Sequence, residues 1–261
     1  MRLYFDVGNT RLKWALDSHE GPVDSGYIDY RKDGMSSLNL PQELTLDSIW
    51  ASCVASSEVR VMIDGWVSER FGLPVEWSAV CKQQCGVVNG YEALNQLGVD
   101  RWMAVLGAKH YLLNNALQGS SVIIVDAGTA VTVDALSAES EFKGGVILPG
   151  LVMMHDALVG RTAGIASSLS GDVPVVGANT QECVNSGVRY GFLGAVDRVV
   201  AEVLHDLSLS ESDVVLLLTG GDANLLADAL SSYVGKFRVC EVLPMLVIDG
   251  LRCVANSGGS K

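Results

Sequence analysis

Two segments of the chain carry an acidic residue, a glycine and small polar residues at the same spacing. The first is Asp6-Val7-Gly8-Asn9-Thr10 and the second is Asp126-Ala127-Gly128-Thr129. Each follows a short apolar stretch and leads into another, which is typical of a β-hairpin with glycine at its tip. Aligned without a gap, the match extends to Ala15-Leu16 and Ala135-Leu136. The repeat predicts two similar halves of the molecule that hold one ligand between them.

The residues at these two tips are suited to phosphate. Glycine lets backbone N–H groups approach an anion closely. Further donors come from Asn9, Thr10, Thr129 and the cationic Lys13. A carboxylate there would repel a bare phosphate, so Asp6 and Asp126 imply a bridging cation or a metal-bound water. The tips could also be two ordinary hairpins with glycine turns, but their duplication favours a nucleoside triphosphate with Mg²⁺.

A tetrad that could perform the reaction lies between the two tips. Gly98-Val99-Asp100-Arg101 follows the segment Asn89-Gly90-Tyr91 and precedes an apolar helical stretch. Adjacent aspartate and arginine at a helix start offer a base and an anion clamp. Phosphoryl transfer needs mainly positioning, charge neutralisation and a group that accepts the proton of the nucleophile, and Asp100 could be that group. The alternative is a helix-capping aspartate beside a solvated arginine.

A third glycine-containing turn, Thr219-Gly220-Gly221-Asp222, lies between an apolar strand and a predicted helix. Backbone N–H groups at the start of a helix attract anions, so this turn is a candidate further nucleotide contact.

Strands precede helices in both halves, which predicts an α/β fold with two mixed sheets and a cleft between the halves. The predicted strands are 2–7, 11–17, 23–30, 47–54, 74–78, 121–126, 131–136, 143–148 and 214–218. The predicted helices are 57–71, 101–117, one after Pro149-Gly150, 180–207 and 223–233. We expect domains at 1–117 and 118–261.

Two of the predicted helices carry further signals. Helix 101–117 is apolar nearly all round, so we expect it to be buried between the halves. Helix 180–207 has Asn179 as its expected N-cap with Glu182 in the first turn. Its Gly187, Gly191 and Gly194 predict close packing against a neighbouring element.

Composition argues against several classes of partner and compartment. Hydrophobic residues make up 49% of the 261 residues, and the formal net charge is −12. This charge disfavours nucleic acid and anionic membranes as partners. Apolar runs stay shorter than the ~18 residues that span a bilayer, and the N-terminal strand leaves no room for a signal peptide. We therefore expect a cytoplasmic protein.

The cysteines and histidines give no metal pattern. The six cysteines are Cys53, Cys81, Cys85, Cys183, Cys240 and Cys253. Their spacing matches no zinc site, so we expect free, mostly buried thiols. The four histidines are scattered along the chain.

The motifs and their order closely resemble the type III pantothenate kinase family, of the acetate and sugar kinase/Hsp70/actin superfamily. The motifs are Asp6-Val7-Gly8-Asn9-Thr10-x-x-Lys13, Gly98-x-Asp100-Arg101, Asp126-x-Gly128-Thr129-Ala130, and Asn179-Thr180 ahead of Ser186-Gly187. The first motif alone indicates only the superfamily, whereas Gly-x-Asp-Arg is specific to the family. The resemblance implies an actin/Hsp70-like ATPase core and phosphorylation of pantothenate by ATP, the first step of coenzyme A synthesis.

The resemblance also implies the roles of individual residues. The ATP contacts are Asp6, Val7, Gly8, Asn9, Thr10, Arg11, Leu12, Lys13 and Thr129. The pantothenate contacts are Tyr91, Gly98, Val99, Asp100, Arg101 and Thr180. Asp100 would be the catalytic proton acceptor, and Asp126 would ligate a monovalent cation, K⁺ or NH₄⁺, required in addition to Mg²⁺. The family works as a homodimer.

One position departs from the family, which often has a proline shortly before Gly-x-Asp-Arg where this chain has Leu94-Asn95. The change could alter substrate affinity but removes no reacting group. Two other functions are open at this point: a kinase for another small substrate such as acetate or a sugar, and a nucleotide-binding regulator without catalysis.

Overall fold

The protein is described from a computed structural model, which covers residues 1–41, 43–163, 165–169, 173–229 and 236–258. The chain divides into two compact units. The first unit contains Met1–Gly119, Glu139–Lys143 and Met245–Lys261, and the second contains Ser120–Ala138 and Gly144–Pro244. The C-terminal segment thus belongs to the unit that contains the N-terminus.

The first unit is built on a five-stranded mixed sheet. Its strands are β1 (Arg2–Val7), β2 (Leu12–Ser18), β3 (Gly21–Ile28), β4 (Ser48–Cys53) and β5 (Val75–Trp77), in the order β3-β2-β1-β4-β5. β1 pairs antiparallel with β2 and parallel with β4. Buried apolar side chains such as Leu3, Phe5 and Ile49 form a core with Ile63 and Val67 of helix α1 (Ser57–Phe71). The predicted bounds of α1 are confirmed.

The second unit repeats this topology. Its strands are β8 (Ser121–Ala127), β9 (Ala130–Leu136), β10 (Glu141–Pro149), β11 (Val214–Thr219) and β12 (Val239–Val242), in the order β12-β11-β8-β9-β10. The first residues of β10, up to Lys143, belong to the first unit. β8 pairs antiparallel with β9 and parallel with β11, as β1 does with β2 and β4. The predicted α/β class with two similar mixed sheets is confirmed.

The register of the two hairpins corrects one detail of the sequence repeat. Val7 pairs with Leu12, whereas its equivalent Ala127 pairs with Val131. The second tip is therefore one residue shorter, and the gapless match of Ala15-Leu16 with Ala135-Leu136 is wrong by one position. A backbone register is set by the length of the turn, which sequence similarity along the flanking strands does not reveal.

Helix α2 (Val99–Asn114), predicted at 101–117, is covered within the first unit by α6 (Leu246–Asn256), a helix that was not predicted from the sequence. The helices approach closely because each has a glycine at the contact. A side chain at Gly107 would collide with the backbone of Leu246, and one at Gly250 with the backbone of Met103. The apolar character of α2 is thus explained by a partner in its own unit.

The remaining helices of the second unit are α3 (Leu151–Arg161), α4 (Thr180–Asp206) and α5 (Ala223–Ala229). The predicted cap of α4 is confirmed, since Asn179 Oδ1 accepts a hydrogen bond from the Glu182 N–H at 2.9 Å. The predicted helix 223–233 is observed to 229, and its residues 230–233 lie outside the described part of the chain.

Two short strands, β6 (Gln83–Gln84) and β7 (Val87–Asn89), form a hairpin before the Gly98 motif. β7 also pairs with the first residues of β10, where Asn89 is opposite Phe142. Neither strand was predicted, because both are shorter than a recognisable alternating pattern. In the described ranges, no helix combines the length and apolarity needed to cross a membrane.

Candidate active site

The first tip comprises residues 8–11 between β1 and β2. The Gly8 N–H donates to the Arg11 carbonyl at 3.0 Å, and the Tyr30 hydroxyl donates to the Gly8 carbonyl at 2.9 Å. These bonds fix the tip while Asn9, Thr10 and Arg11 remain exposed. The sequence therefore supplies a rigid turn whose polar side chains face solvent, as a phosphate-binding loop requires.

Asp6 lies at the base of this tip, between two neighbouring strands. It is opposite Lys13 on β2 and Ser52 on β4. The Ser52 hydroxyl donates to Asp6 Oδ1 at 3.2 Å, which fixes the carboxylate. Ser52 is fully buried and was not a predicted site residue. Its position depends on parallel pairing with a strand far along the chain, which local sequence does not reveal.

The second tip is built similarly but is one residue shorter. The Gly128 N–H donates to the Ala130 carbonyl at 3.0 Å, and Thr129 is exposed. Asp126 is opposite Thr132 on β9 and Thr219 on β11. Each tip thus has an aspartate at its base with a hydroxyl residue beside it on the parallel strand, Ser52 in one unit and Thr219 in the other.

Thr219 is the last residue of β11 and opens the predicted Gly-Gly nucleotide turn. Its Oγ1 is fully buried and makes no hydrogen bond to any described residue. The turn is held against the second tip, because the Asp222 N–H donates to the Ala127 carbonyl at 2.9 Å. Gly220 has a φ of 93° and lies so close to Ala127 that a side chain would collide with its backbone. A buried hydroxyl without a hydrogen-bond partner beside Asp126 is a feature that calls for an explanation, such as an ion or water bound there.

The Gly98 tetrad forms the start of α2. Gly98 is the N-cap, and the Arg101 N–H donates to Asp100 Oδ1 at 2.7 Å. A side chain at Gly98 would lie 2.5 Å from the same oxygen, so only glycine leaves space for this carboxylate. Burial raises the pKa of Asp100 above its ordinary value, opposed by the Arg101 backbone bond and charge. A partly buried carboxylate with a raised pKa is a stronger proton acceptor.

Arg101 packs against aromatic rings of the first unit. Its guanidinium carbon lies 5.6 Å from the centre of the Tyr91 ring and 6.0 Å from that of Phe142. The Tyr91 and Phe142 rings are nearly parallel, with centres 6.1 Å apart. Arg101 is only 6% exposed, so the alternative of a solvated arginine is wrong. Phe142 was not predicted, because it enters the cluster only through the pairing of β10 with β7.

Thr180 is the first residue of α4 in the second unit and is exposed. The neighbouring Ser186 is buried and has a structural contact. Its hydroxyl donates to the carbonyls of Pro174 and Val175, the latter at 3.0 Å. Asn185 likewise donates to the Ser168 carbonyl at 2.9 Å. The hydrogen bonds of Asn185 and Ser186 therefore hold the segment that precedes α4 against this helix.

Comparisons with known proteins assign the chain to a family. The family model described as type III pantothenate kinase matches residues 2–202. A type III pantothenate kinase from Azoarcus sp. (strain BH72) is 34% identical over 260 residues, which cover 98% of this chain and 90% of the relative.

The chain belongs to the type III pantothenate kinase family.

Solved structures with low sequence identity share the fold. A Baf family protein from Campylobacter jejuni, described as a transcriptional activator, matches with a TM-score of 0.58 at 17% identity over 99% of this chain and 100% of that one. A protein assigned as 2-dehydro-3-deoxygalactonokinase from Sinorhizobium meliloti matches with a TM-score of 0.55 at 13% identity over 98% and 99%. The chain thus shares the actin/Hsp70-like α/β fold with these two proteins.

The position that departs from the family lies beside the tetrad. Leu94 and Asn95 are in a short turn and line a cavity of about 470 Å³ in the first unit. Leu97 and Val99, on either side of Gly98, line the same cavity. A change at 94–95 therefore reaches the wall next to the predicted pantothenate contacts.

The exposure of the cysteines differs from the prediction. Only Cys53 is buried, Cys183 is exposed, and the other four are partly exposed. The prediction of mostly buried thiols is wrong, because several of these residues lie in turns or at helix ends. Within the described ranges, His, Cys, Asp and Glu form no group of three that could hold a metal ion.

Proposed function

We propose that the chain transfers the γ-phosphoryl group of ATP to the primary hydroxyl of pantothenate, the first step of coenzyme A synthesis. The observation that carries this proposal is the tetrad at the start of α2, where a partly buried Asp100 adjoins an Arg101 fixed against Tyr91 and Phe142. Family membership supplies the substrate pair. The use of ATP and the presence of free thiols both favour the cytoplasm as the compartment in which the enzyme acts.

The nucleotide is assigned to the two glycine tips and the Gly-Gly turn. Backbone N–H groups, Asn9, Thr10 and Lys13 would bind phosphate oxygens at the first tip, and Thr129 at the second. The backbone N–H groups are positioned by the hairpins before ATP binds, so little backbone ordering is needed at the moment of transfer. Mg²⁺ bound with ATP would neutralise phosphate charge, and Asp6 is the carboxylate at the first tip that could hold it.

Asp100 and Arg101 are assigned to pantothenate. Asp100 accepts the proton of the attacking hydroxyl as the new O–P bond forms. Arg101 is a fixed, desolvated cation, and Tyr91 adds a hydroxyl beside it, so the pair suits a substrate that is an anion with polar groups. The family motif assigns one further pantothenate contact, Thr180, which belongs to the second unit.

A panel of acceptors tests the proposed function. We expect rapid ADP formation with pantothenate and background rates with acetate, N-acetylglucosamine or 2-dehydro-3-deoxygalactonate. Faster turnover of a sugar or of acetate would identify that compound, and not pantothenate, as the substrate. Nucleotide binding without turnover of any acceptor would favour a regulator.

A monovalent cation is assigned to Asp126. The position offers a carboxylate beside Thr219, whose buried hydroxyl finds no partner in the described structure, and oxygen donors of this kind fit hard cations. We expect much higher activity in K⁺ or NH₄⁺ than in Na⁺ at equal ionic strength, and loss of this preference in Asp126→Asn. Equal rates of the wild-type enzyme in the three salts would contradict the assignment.

Thr180→Val tests the contact from the second unit. The change keeps the shape of the side chain and removes its hydroxyl, which leaves a substrate group unpaired at a cost of ~1–3 kcal/mol. We expect kcat/KM for pantothenate to fall by roughly 5- to 150-fold, with ATP binding unchanged. Thr162→Val, at another exposed threonine of this unit, is the control. An equal loss of ATP affinity would show that Thr180 serves the nucleotide.

We also propose a homodimer in which the second unit makes most of the contact. Exposed apolar side chains of that unit include Ile147, Val152, Val175, Val176 and Tyr190, at 45–84% exposure. A side chain added at Gly187, Gly191 or Gly194 of α4 would meet no described atom within 4 Å, so this face is uncovered in the single chain. Exposed apolar surface of this kind is typical of an interface.

Light scattering tests the dimer. At micromolar concentration we expect twice the chain mass of 27.7 kDa. Val176→Glu should shift the protein towards the monomer, because it places a charge in the proposed contact. Val61→Glu, at a residue of α1 that is 70% exposed, should leave the mass unchanged. A wild-type mass of one chain would rule out the dimer.

A further inference from the structure

One buried residue beside the proposed pantothenate contacts has no role in the reaction described above. Asn89 ends β7 and is fully buried, although a buried amide side chain is costly unless it is hydrogen-bonded. We propose that Asn89 is a positioning residue that fixes Tyr91, and through Tyr91 the guanidinium of Arg101, for the binding of pantothenate. This inference rests on the proposed function, because it concerns the same substrate.

The side-chain amide of Asn89 is bonded at both ends to backbone groups. Its Oδ1 accepts the Tyr91 N–H at 3.0 Å, and its Nδ2 donates to the Cys81 carbonyl at 3.2 Å. An asparagine oxygen that accepts the N–H two residues later forms an Asx turn, which changes the direction of the chain. The second bond ties this turn to the segment that precedes β6. A side chain without an oxygen acceptor could not hold the Tyr91 N–H in this way.

The backbone around the turn is anchored on two sides. The Asn89 N–H donates to the Lys82 carbonyl at 2.9 Å, and the Lys82 ammonium group donates to the Asn89 carbonyl at 2.7 Å. The Gly90 N–H donates to the Phe142 carbonyl at 3.0 Å, and a side chain at Gly90 would lie 2.5 Å from the same oxygen. The turn therefore lies directly against β10, which places Tyr91 next to Phe142.

The direction of the chain after this turn determines where the Tyr91 ring lies. The Tyr91 and Phe142 rings are stacked, with 5° between their planes and 6.1 Å between their centres. The Arg101 guanidinium lies over both rings. Stacking on aromatic faces restricts the orientation of an arginine side chain, which is otherwise long and flexible. A displaced Tyr91 would therefore misplace both of the groups that are assigned to the substrate anion.

Steady-state kinetics of Asn89→Ala test the proposal. Because the Tyr91 N–H loses its acceptor, we expect the KM for pantothenate to rise roughly fivefold or more, with kcat and the KM for ATP within about twofold of wild type. Lys82→Met is the matched control, since it removes another bond to Asn89 but leaves the Asx turn intact. A loss in kcat alone, or an equal rise of KM in Lys82→Met, would indicate general loosening of the hairpin and overturn the proposal.

A double-mutant cycle tests whether Asn89 acts through Tyr91. Tyr91→Ala removes the ring that Asn89 is proposed to position. Adding Asn89→Ala to this variant should therefore raise the KM for pantothenate by no more than about twofold further. Two rises that multiply would show that Asn89 acts independently of Tyr91 and would overturn the proposal.

Asn89→Asp and the exchange rate of one amide keep the test decisive if Asn89→Ala does not fold. The carboxylate can still accept the Tyr91 N–H, so this amide should exchange slowly by NMR in Asn89→Asp, as in wild type. Rapid exchange in the wild type, or a folded Asn89→Asp protein with a KM as high as that of Tyr91→Ala, would overturn the positioning role alone. Failure of the wild-type chain to phosphorylate pantothenate would instead reject the proposed function, and this role with it.

Discussion

Asp100→Asn is expected to lower turnover by ~10²–10⁴-fold, the usual contribution of a positioned general base. The amide keeps the size of the side chain, and its oxygen can still accept the Arg101 N–H that Asp100 Oδ1 accepts at 2.7 Å. The start of α2 should therefore keep its structure while the proton acceptor is lost. The turnover number can be measured directly in assays at saturating ATP and pantothenate, either in the steady state or in a single turnover.

The matched control is Asp64→Asn, in helix α1. Its carboxylate accepts the Trp77 indole N–H at 3.0 Å, which an amide oxygen can also accept. This variant should retain wild-type turnover, and ATP affinity should be unchanged in both. Near-normal turnover of a folded Asp100→Asn protein would exclude Asp100 as the base.

The raised pKa of Asp100 predicts the direction of the pH profile. The base must be ionised to accept a proton, so kcat/KM should fall as the pH drops through the pKa of Asp100. Because burial raises that pKa, the acid limb should lie above the ordinary aspartate value of 3.8. Asp100→Asn should abolish this limb.

Arg101→Met is expected to give the second large loss. Methionine keeps the length and apolar packing of the side chain against Tyr91 and Phe142 but removes the charge. Hydrogen bonds to charged groups contribute about 1.5–3 kcal/mol, so kcat/KM for pantothenate should fall by roughly 10- to 150-fold. The loss should appear mainly in the KM for pantothenate, with the KM for ATP little changed.

Arg70→Met supplies the control for this arginine. Arg70 also lies over two aromatic rings, 5.3 Å from the centres of both Trp66 and Phe71. A similar loss of pantothenate use in Arg70→Met would mean that the effect comes from disturbed packing of the first unit. Wild-type kinetics for the control, with the loss confined to Arg101→Met, would support the anion clamp.

Structural features that depend on residues close together in the chain can be predicted from the sequence. The strands at each tip, the bounds of α1 and the capping of α4 by Asn179 follow from local apolar patterns and capping chemistry. Helix α6 also had a local signal, because Leu246, Val247, Leu251 and Val254 recur at helical spacing and are all buried. It could have been predicted from that periodicity.

Features that depend on pairing between distant segments could not be predicted. Ser52 and Thr219 lie beside Asp6 and Asp126 only because β4 and β11 pair in parallel with the tip strands. Phe142 reaches Arg101 through the pairing of β10 with β7. Such registers are set by the whole fold and leave no mark on the local pattern of residues.

The central claim is that the chain uses ATP to phosphorylate pantothenate, and the stoichiometry of products tests it most directly. ADP and 4′-phosphopantothenate can be quantified together by mass spectrometry during turnover in K⁺ and Mg²⁺. Equal amounts of the two, with ADP formation dependent on pantothenate, are the predicted result. ADP formation at the same rate without pantothenate, or without any 4′-phosphopantothenate, would contradict the account.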